Sequence, residues 1–446
     1  MKKVLFISYA FPPQGGVGVQ RTVKFLKYLH LYGYVPYVIT AKKRYYDFKD
    51  EELINQIDKN KVKIYDIFSF EPENYSDKFS FKNFSFKLLY HKIVRNFFRL
   101  VDFAFTPDEK AFWELPCILS GASLVLKENI DCIYVTGDAF SSVISGYYIS
   151  KLTRKPLVLD FRDEWISGYL LKGAGKRFKW HLGFEKKMEE KVISHASKVI
   201  SVTPAIIENF IKKYPEHKEK FICIPNGFDE DDFNFDAVGA TCQVAPTKDK
   251  FTILHSGKVY GLRNPVVFLS ALKKIKEENK EIFNKIKVVF AGVIEESVKK
   301  EIDAVGINEI IDFKGFVKHK KITRLYREAD LNLLILDKDD DAKRVYTAKI
   351  FEYMASGKDI LTIAASDSEV ADLIKKSNTG ALIEDYNDVE NIKKNIYKFI
   401  EAKEKGIKLF ERNYDFINQF SRENLTQKLA QTFDGVSGKR QASSVK

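Results

Sequence analysis

Unbroken apolar runs alternate with helix-period segments along this chain in two series, and that alternation constrains the fold more than any other feature. Residues 4–8, 35–40, 130–136, 156–161, 198–202 and 221–224 form the first series of expected strands, and 252–254, 286–291, 310–313, 331–335 and 359–363 the second. Strands apolar at nearly every position suit parallel sheets with helices on both faces. Residues 234–250 between the series are polar, rich in Ala and Thr, and unpatterned, as expected of a linker. A chain of 446 residues also exceeds one compact core. The expectation is two consecutive α/β domains with a cleft between them, and such clefts are favoured ligand sites.

Other classes fit poorly. The opening MKKVLFISYAF is charged, then only briefly apolar, and runs into Pro12-Pro13, too short for a signal peptide or a membrane span, so a cytoplasmic protein is expected. Cys117, Cys132, Cys223 and Cys242 are scattered without a CxxC spacing, so they read as reduced structural residues and spell out no zinc site. The net charge of +12 is spread along the chain, which argues against nucleic acid and leaves phosphorylated substrates or anionic lipid head groups as partners. Within an aromatic and basic insertion at 65–114, residues 86–105 set Leu88, Leu89, Ile93, Phe97, Phe98, Leu100 and Val101 among Lys87, His91, Lys92, Arg95 and Arg99. That composition suits a helix lying on a membrane surface and equally one packed into its own domain.

Several segments carry candidate chemistry. The loop from Tyr9 to Gly18 holds Pro12-Pro13 and Gly15-Gly16 between a buried strand and a helix, where backbone N–H groups can meet a phosphate or sugar. The next strand ends in Thr40-Ala41-Lys42 without an acid for a ribose, which argues against a dinucleotide site there. Asp160, Arg162 and Asp163 sit at a strand's carboxyl end, the usual ligand edge of an open α/β sheet; an Arg162–Asp163 ion pair bracing a loop is the competing reading. In the second series, Lys258 and Arg263 flank one small loop after a strand, as a diphosphate requires, although solvated cations are the plainer alternative. Within residues 344–361, Ile350, Phe351, Met354 and Ala355 fall at helical spacing and Ser356-Gly357 ends the helix, on which Glu352 could accept two hydrogen bonds from a ribose. Residues 337–341 (DKDDD) look like a metal-binding DxD and are read instead as a solvated acidic loop.

Together FPPQGGVG at 11–18, PLVLDFRDEW at 156–165, IPNGFD at 224–229, SGKVYGLR at 256–263, GFV at 315–317 and AKIFEYMASGKDIL at 348–361 resemble the retaining, nucleotide-sugar-dependent glycosyltransferases of the GT-B fold in glycosyltransferase family 4 (glycosyl transferases group 1). The resemblance covers nearly the whole chain. It implies two Rossmann-like α/β/α domains facing across a cleft: residues 1–233 on the acceptor side, the linker at 234–250, and 251–419 holding the nucleotide-sugar. It also implies a helix at 420–434 crossing back to the first domain; residues 435–446 are polar and expected to form a disordered tail. By the same resemblance Gly15, Gly16, Lys258, Arg263, Phe316, Val317, Lys349 and Glu352 bind the donor, and Lys258, Arg263, Asp160, Arg162 and Asp163 are the catalytic candidates.

The implied activity is hexosyl transfer with retention from a nucleotide diphosphate-sugar to a saccharide or lipid-linked acceptor, in capsule, lipopolysaccharide or other surface polysaccharide assembly. Neither a cofactor nor a metal is expected, and peripheral contact with the inner face of an anionic membrane is. Two departures stand out: the first glutamate of the family's E-x7-E motif falls at Arg344, and Asp160-Phe161-Arg162-Asp163 stands where many members carry a histidine. They keep open a non-catalytic nucleotide-sugar or polyanion binder of the same fold, or a GT-B epimerase or phosphorylase.

Overall fold

A computed structural model describes residues 1–42, 49–69, 108, 110–137, 139–165, 179–233 and 250–437. The expected helix at 86–105, with Phe97 and Phe98, and nearly all of the expected linker at 234–250 lie outside these residues. The chain divides into two compact units, Met1–Ile224 with Leu425–Lys446, and Pro225–Asn424.

Unit 1 is a seven-stranded parallel sheet in the order β3-β2-β1-β4-β5-β6-β7. Its strands are β1 Lys2–Ile7, β2 Tyr34–Lys42, β3 Lys63–Phe68, β4 Cys132–Thr136, β5 Leu157–Phe161, β6 Lys198–Ser201 and β7 Phe221–Cys223. Strand alternation sends Leu5 and Ile7 to one face, beneath the helices Ala111–Glu128 and Phe140–Thr153. Val4 and Phe6 go to the other, where Val23 and Leu26 of the helix Val17–Tyr28 meet Leu425, Leu429 and Phe433 of the final helix, Arg422–Ser437. The chain order reverses between β1 and β4, so their carboxyl ends frame the switch point where open α/β sheets take ligands.

Unit 2 repeats the plan with six parallel strands ordered β10-β9-β8-β11-β12-β13. They are β8 Phe251–Ser256, β9 Ile286–Ala291, β10 Ile311–Phe313, β11 Leu331–Ile335, β12 Asp359–Ile363 and β13 Gly380–Ile383. Here the reversal falls between β8 and β11. Each unit is the Rossmann-like α/β/α layer arrangement that the alternating pattern demanded.

Several boundaries differ from expectation. β3 and the helix Ala111–Glu128 occupy the edges of the supposed insertion at 65–114. The first unit ends at Ile224 rather than 233, because Phe228 N–H donates to Phe420 O and Arg422 N–H to Phe228 O, while Phe233 is buried among residues of unit 2. A second helix, expected from about residue 406, starts instead at Tyr414, because Gly406, at φ 64°, stops the helix Val389–Lys405. The last helix runs to Ser437 with Val436 buried, so residues 435–437 are helical and not part of a tail.

One polar arrangement lies inside the core of unit 1. Arg21, on the first helix, donates from Nε to Asp160 Oδ2 at 2.8 Å and from Nη2 to Asp160 Oδ1 at 3.1 Å and Ile224 O at 2.8 Å, and Tyr134 Oη also donates to Asp160. Both ends of the ion pair are almost wholly buried. Breaking such a pair by neutralising one partner strands the other charge, at a cost of about 3–5 kcal/mol. Asp160→Asn is therefore expected to lower the urea midpoint of unit 1 by that order of free energy, and an unchanged midpoint would contradict the assignment.

Candidate active site

The β8–β11 ladder stops early. Ile253 and Leu254 pair with Leu331 and Asn332, and the register ends there, although β8 stays paired with β9 as far as Ser256. Side chains take over the backbone groups this releases. Tyr353 Oη accepts from Ser256 N–H at 3.1 Å and lies 3.4 Å from Leu333 O, and His255 Nδ1–H donates to the same carbonyl at 3.1 Å. His255 is buried, and that burial, reinforced by the charge of Lys349, pushes its pKa down to about 3, so the ring is neutral and serves as a hydrogen-bond donor. The two strands thus part at their carboxyl ends, at the topological switch point.

Cations gather around this parting. Lys349, in the first turn of the helix Ala348–Ala355, donates from Nζ to Ser256 O at 2.6 Å. Gly257 has no Cβ where one would come within 2.6 Å of that ammonium, and its φ of 100° also favours glycine. Burial, then the charge of Arg263, brings the pKa of Lys349 down to about 7. Arg263 is fixed by Asp337, which follows β11: Nε to Oδ1 is 2.8 Å, and Tyr260 Oη donates to Oδ2 at 2.8 Å. The Tyr260 ring has Lys258 Nζ 5.8 Å and Arg263 Cζ 5.3 Å from its centroid. Asp337 is only 5% exposed, so it is a brace for Arg263 and not part of a solvated acidic loop.

Glu352 lies one helical turn beyond Lys349 and therefore on the same face. It is not a surface acid: its Oε1 accepts from His319 Nε2 at 2.7 Å, and both side chains are 15% exposed. Burial would raise its pKa, but His319, the charge of Arg422 and a hydrogen bond from Tyr326 outweigh burial and hold it below the usual carboxylate range. Arg344 sits before this helix, 3.9 Å from Asp341. Phe316 is exposed and Val317 half-buried in the loop that leads into the helix His319–Glu328.

In unit 1 the expected residues separate. Asp160 is committed to Arg21 and Tyr134 and is 1% exposed, so it holds the scaffold and cannot meet substrate as a catalytic acid. Arg162 instead reaches the switch point, where Nη2 donates to Thr136 Oγ1 at 2.7 Å. Its guanidinium occupies the space a Cβ at Gly18 would need, so glycine there admits the arginine to the start of the helix Val17–Tyr28. Burial and the charge of Arg21 lower the Arg162 pKa to about 10. Asp163 is exposed; Gly15 is half-buried; Gly16, at φ 121°, is the residue preceding that helix.

The two units together define a GT-B protein. Residues 243–415 match the family model described as glycosyl transferases group 1, and residues 71–232 match that described as Glycosyltransferase Family 4. The chain is a family 4-like glycosyltransferase of the GT-B fold. No curated protein matches its sequence. Among solved structures, a glycosyltransferase from Rickettsia africae ESF-5 is similar at 17% identity and a TM-score of 0.63, with 98% of each chain covered. Anabaena Alr3699/HepE in complex with UDP and glucose is similar at 15% identity and a TM-score of 0.62, covering 98% of this chain and 100% of that one. WaaG, a glycosyltransferase involved in lipopolysaccharide biosynthesis, is similar at 14% identity and a TM-score of 0.53, covering 97% and 98%.

The sequence pointed to Lys258, Arg263, Lys349 and Glu352, and the structure gathers them at one sheet edge. It missed Tyr260, Asp337 and His319, which hold them, and Tyr353, which props the strands apart. Of these, only Asp337 carried a signal, as an acid at the end of an apolar strand. Tyr353→Phe removes the acceptor for a buried N–H, so we expect a loss of about 1–3 kcal/mol in the stability of unit 2, measured by denaturant unfolding. Unchanged stability would mean that the strands part for another reason.

Proposed function

We propose that the chain transfers a sugar from a nucleoside diphosphate-sugar to a saccharide acceptor carried on a lipid, with retention of anomeric configuration. The observation that carries this reading is the set of Lys258, Arg263 and Lys349 around the parting of β8 and β11, with Glu352 on the same helical face as Lys349. Fixed cations stabilise the charge that develops on a departing diphosphate, and a carboxylate one turn along the helix suits the ribose. That a similar fold was solved with UDP and glucose, and another belongs to lipopolysaccharide biosynthesis, supports the donor and acceptor classes.

In this reaction the bond between the anomeric carbon and the phosphate oxygen breaks, and the acceptor hydroxyl oxygen bonds to that carbon. The acceptor proton passes to the leaving phosphate. Lys258, Arg263 and Lys349 would hold that phosphate without a metal, Phe316 and Val317 would border the base, and within unit 1 Gly15, Gly16, Arg162 and Asp163 are the candidates at that unit's own switch point. We assign no protein nucleophile. The family's sugar-facing glutamate is replaced by Arg344, so donor choice would depart from relatives that keep it. Among the described residues no helix is long and apolar enough to cross a membrane, and contact with a lipid-linked acceptor would be peripheral.

Lys349 gives this reading a pH signature. Its ammonium loses a proton near pH 7 in the free protein, whereas a bound diphosphate favours the charged form. Donor binding should therefore take up a proton near neutrality. Affinity for a nucleoside diphosphate-sugar, whose diester does not titrate in this range, should fall as pH rises above about 7. Lys349→Met should weaken binding and flatten the profile. Turnover across UDP-, GDP- and ADP-sugars with lipid-linked and free saccharide acceptors, read by mass spectrometry, tests the activity; no transfer and no nucleotide release with any donor would overturn it.

A further inference from the structure

We propose that His319 is a positioning residue for the donor: it fixes Glu352 so that the carboxylate presents its remaining acceptor sites to the vicinal hydroxyls of the ribose. This rests on the donor-site reading above and adds a residue to it.

His319 opens the helix His319–Glu328, and Tyr326 follows it by seven residues, on the same helical face. Both turn towards Glu352 on the neighbouring helix. His319 Nε2 donates to Oε1 at 2.7 Å, and the Tyr326 hydroxyl helps keep the carboxylate ionised. That hydroxyl also lies 2.9 Å from Ser256 Oγ, at the end of β8. Tyr326 therefore links the surroundings of the carboxylate to the strand whose terminal carbonyl receives Lys349. Diphosphate and ribose contacts are set by one frame.

Counting acceptor sites shows what this arrangement leaves available. An ionised carboxylate has about four lone-pair positions. His319 takes one, which leaves enough for the two hydroxyls of a vicinal diol. Arg422 adds a positive charge that helps keep the group ionised. Without the His319 bond the half-buried carboxylate would be less restrained about its last side-chain torsion, and its acceptor sites would lose their fixed direction. His319 touches Glu352 and is not required to touch the substrate.

The test uses the full chain and isothermal titration. The nucleoside diphosphate that the wild type binds best, chosen among UDP, GDP and ADP, is compared with its 2′,3′-dideoxy analogue on wild type, His319→Ala and His319→Gln. We expect His319→Ala to weaken the ribonucleotide by about tenfold, the scale of one well-placed hydrogen bond to a charged group. The dideoxy analogue should bind wild type and His319→Ala alike, because it has no diol to read. His319→Gln, which keeps an N–H donor, should recover most of the loss. Equal weakening of both ligands by His319→Ala, or no weakening of either, would overturn the positioning role while leaving the donor site standing. A wild type that binds none of the three nucleotides would overturn the donor-site reading itself.

Discussion

The hydroxyl of Tyr353 occupies the place where the next rung of the β8–β11 ladder would form, and the arrangement of unit 2 follows from that substitution. With Ser256 N–H donating to a side chain, β8 can separate from β11 without leaving a buried backbone donor unpaired. The separation leaves Ser256 O to receive Lys349 and brings the loop bearing Lys258 and Arg263 beside Asp337. Helix Ala348–Ala355 supplies Tyr353 to prop the strands, and Lys349 and Glu352 to line the opening. This helix thus sets the shape of the site and adds Lys349 to the two cations of the loop after β8.

Unit 1 shows a different division of labour at its own switch point. Asp160, facing the core, neutralises Arg21 and receives Tyr134, while Arg162, two residues on, reaches Thr136 and the start of the first helix. Asp160 lies within β5, whereas Arg162 follows the strand's last residue and is released from the alternation that would otherwise put both on one face. A charged cluster at a strand end can be scaffold and site at once, and only burial separates the two.

The legible part of the sequence was whatever depends on local spacing. Continuous apolar runs announced parallel strands, and Ile350, Phe351 and Met354 announced a helix that carries Lys349 and Glu352 on one face. The edge strand β3 was hidden because its burial alternates weakly next to an aromatic stretch. Site residues were hidden when their meaning lies in a distant partner: His319 finds Glu352 across 33 residues, Asp337 finds Arg263 across 74, and Tyr353 finds Ser256 across 97. Around His319 and Tyr353 nothing in the local pattern distinguishes a brace from a solvated side chain, and for Asp337 only its place at the end of an apolar strand does. Asp160 misled for the converse reason, since its position at a strand end suggested substrate while its partners lie in the core.

A crystal structure of the full chain with a bound nucleoside diphosphate tests the central claim most directly. The account predicts phosphate oxygens within hydrogen-bond distance of Lys349 and of at least one of Lys258 and Arg263, with a ribose hydroxyl on Glu352. A nucleotide bound away from the parting of β8 and β11, or with Glu352 turned from the ribose, would contradict it.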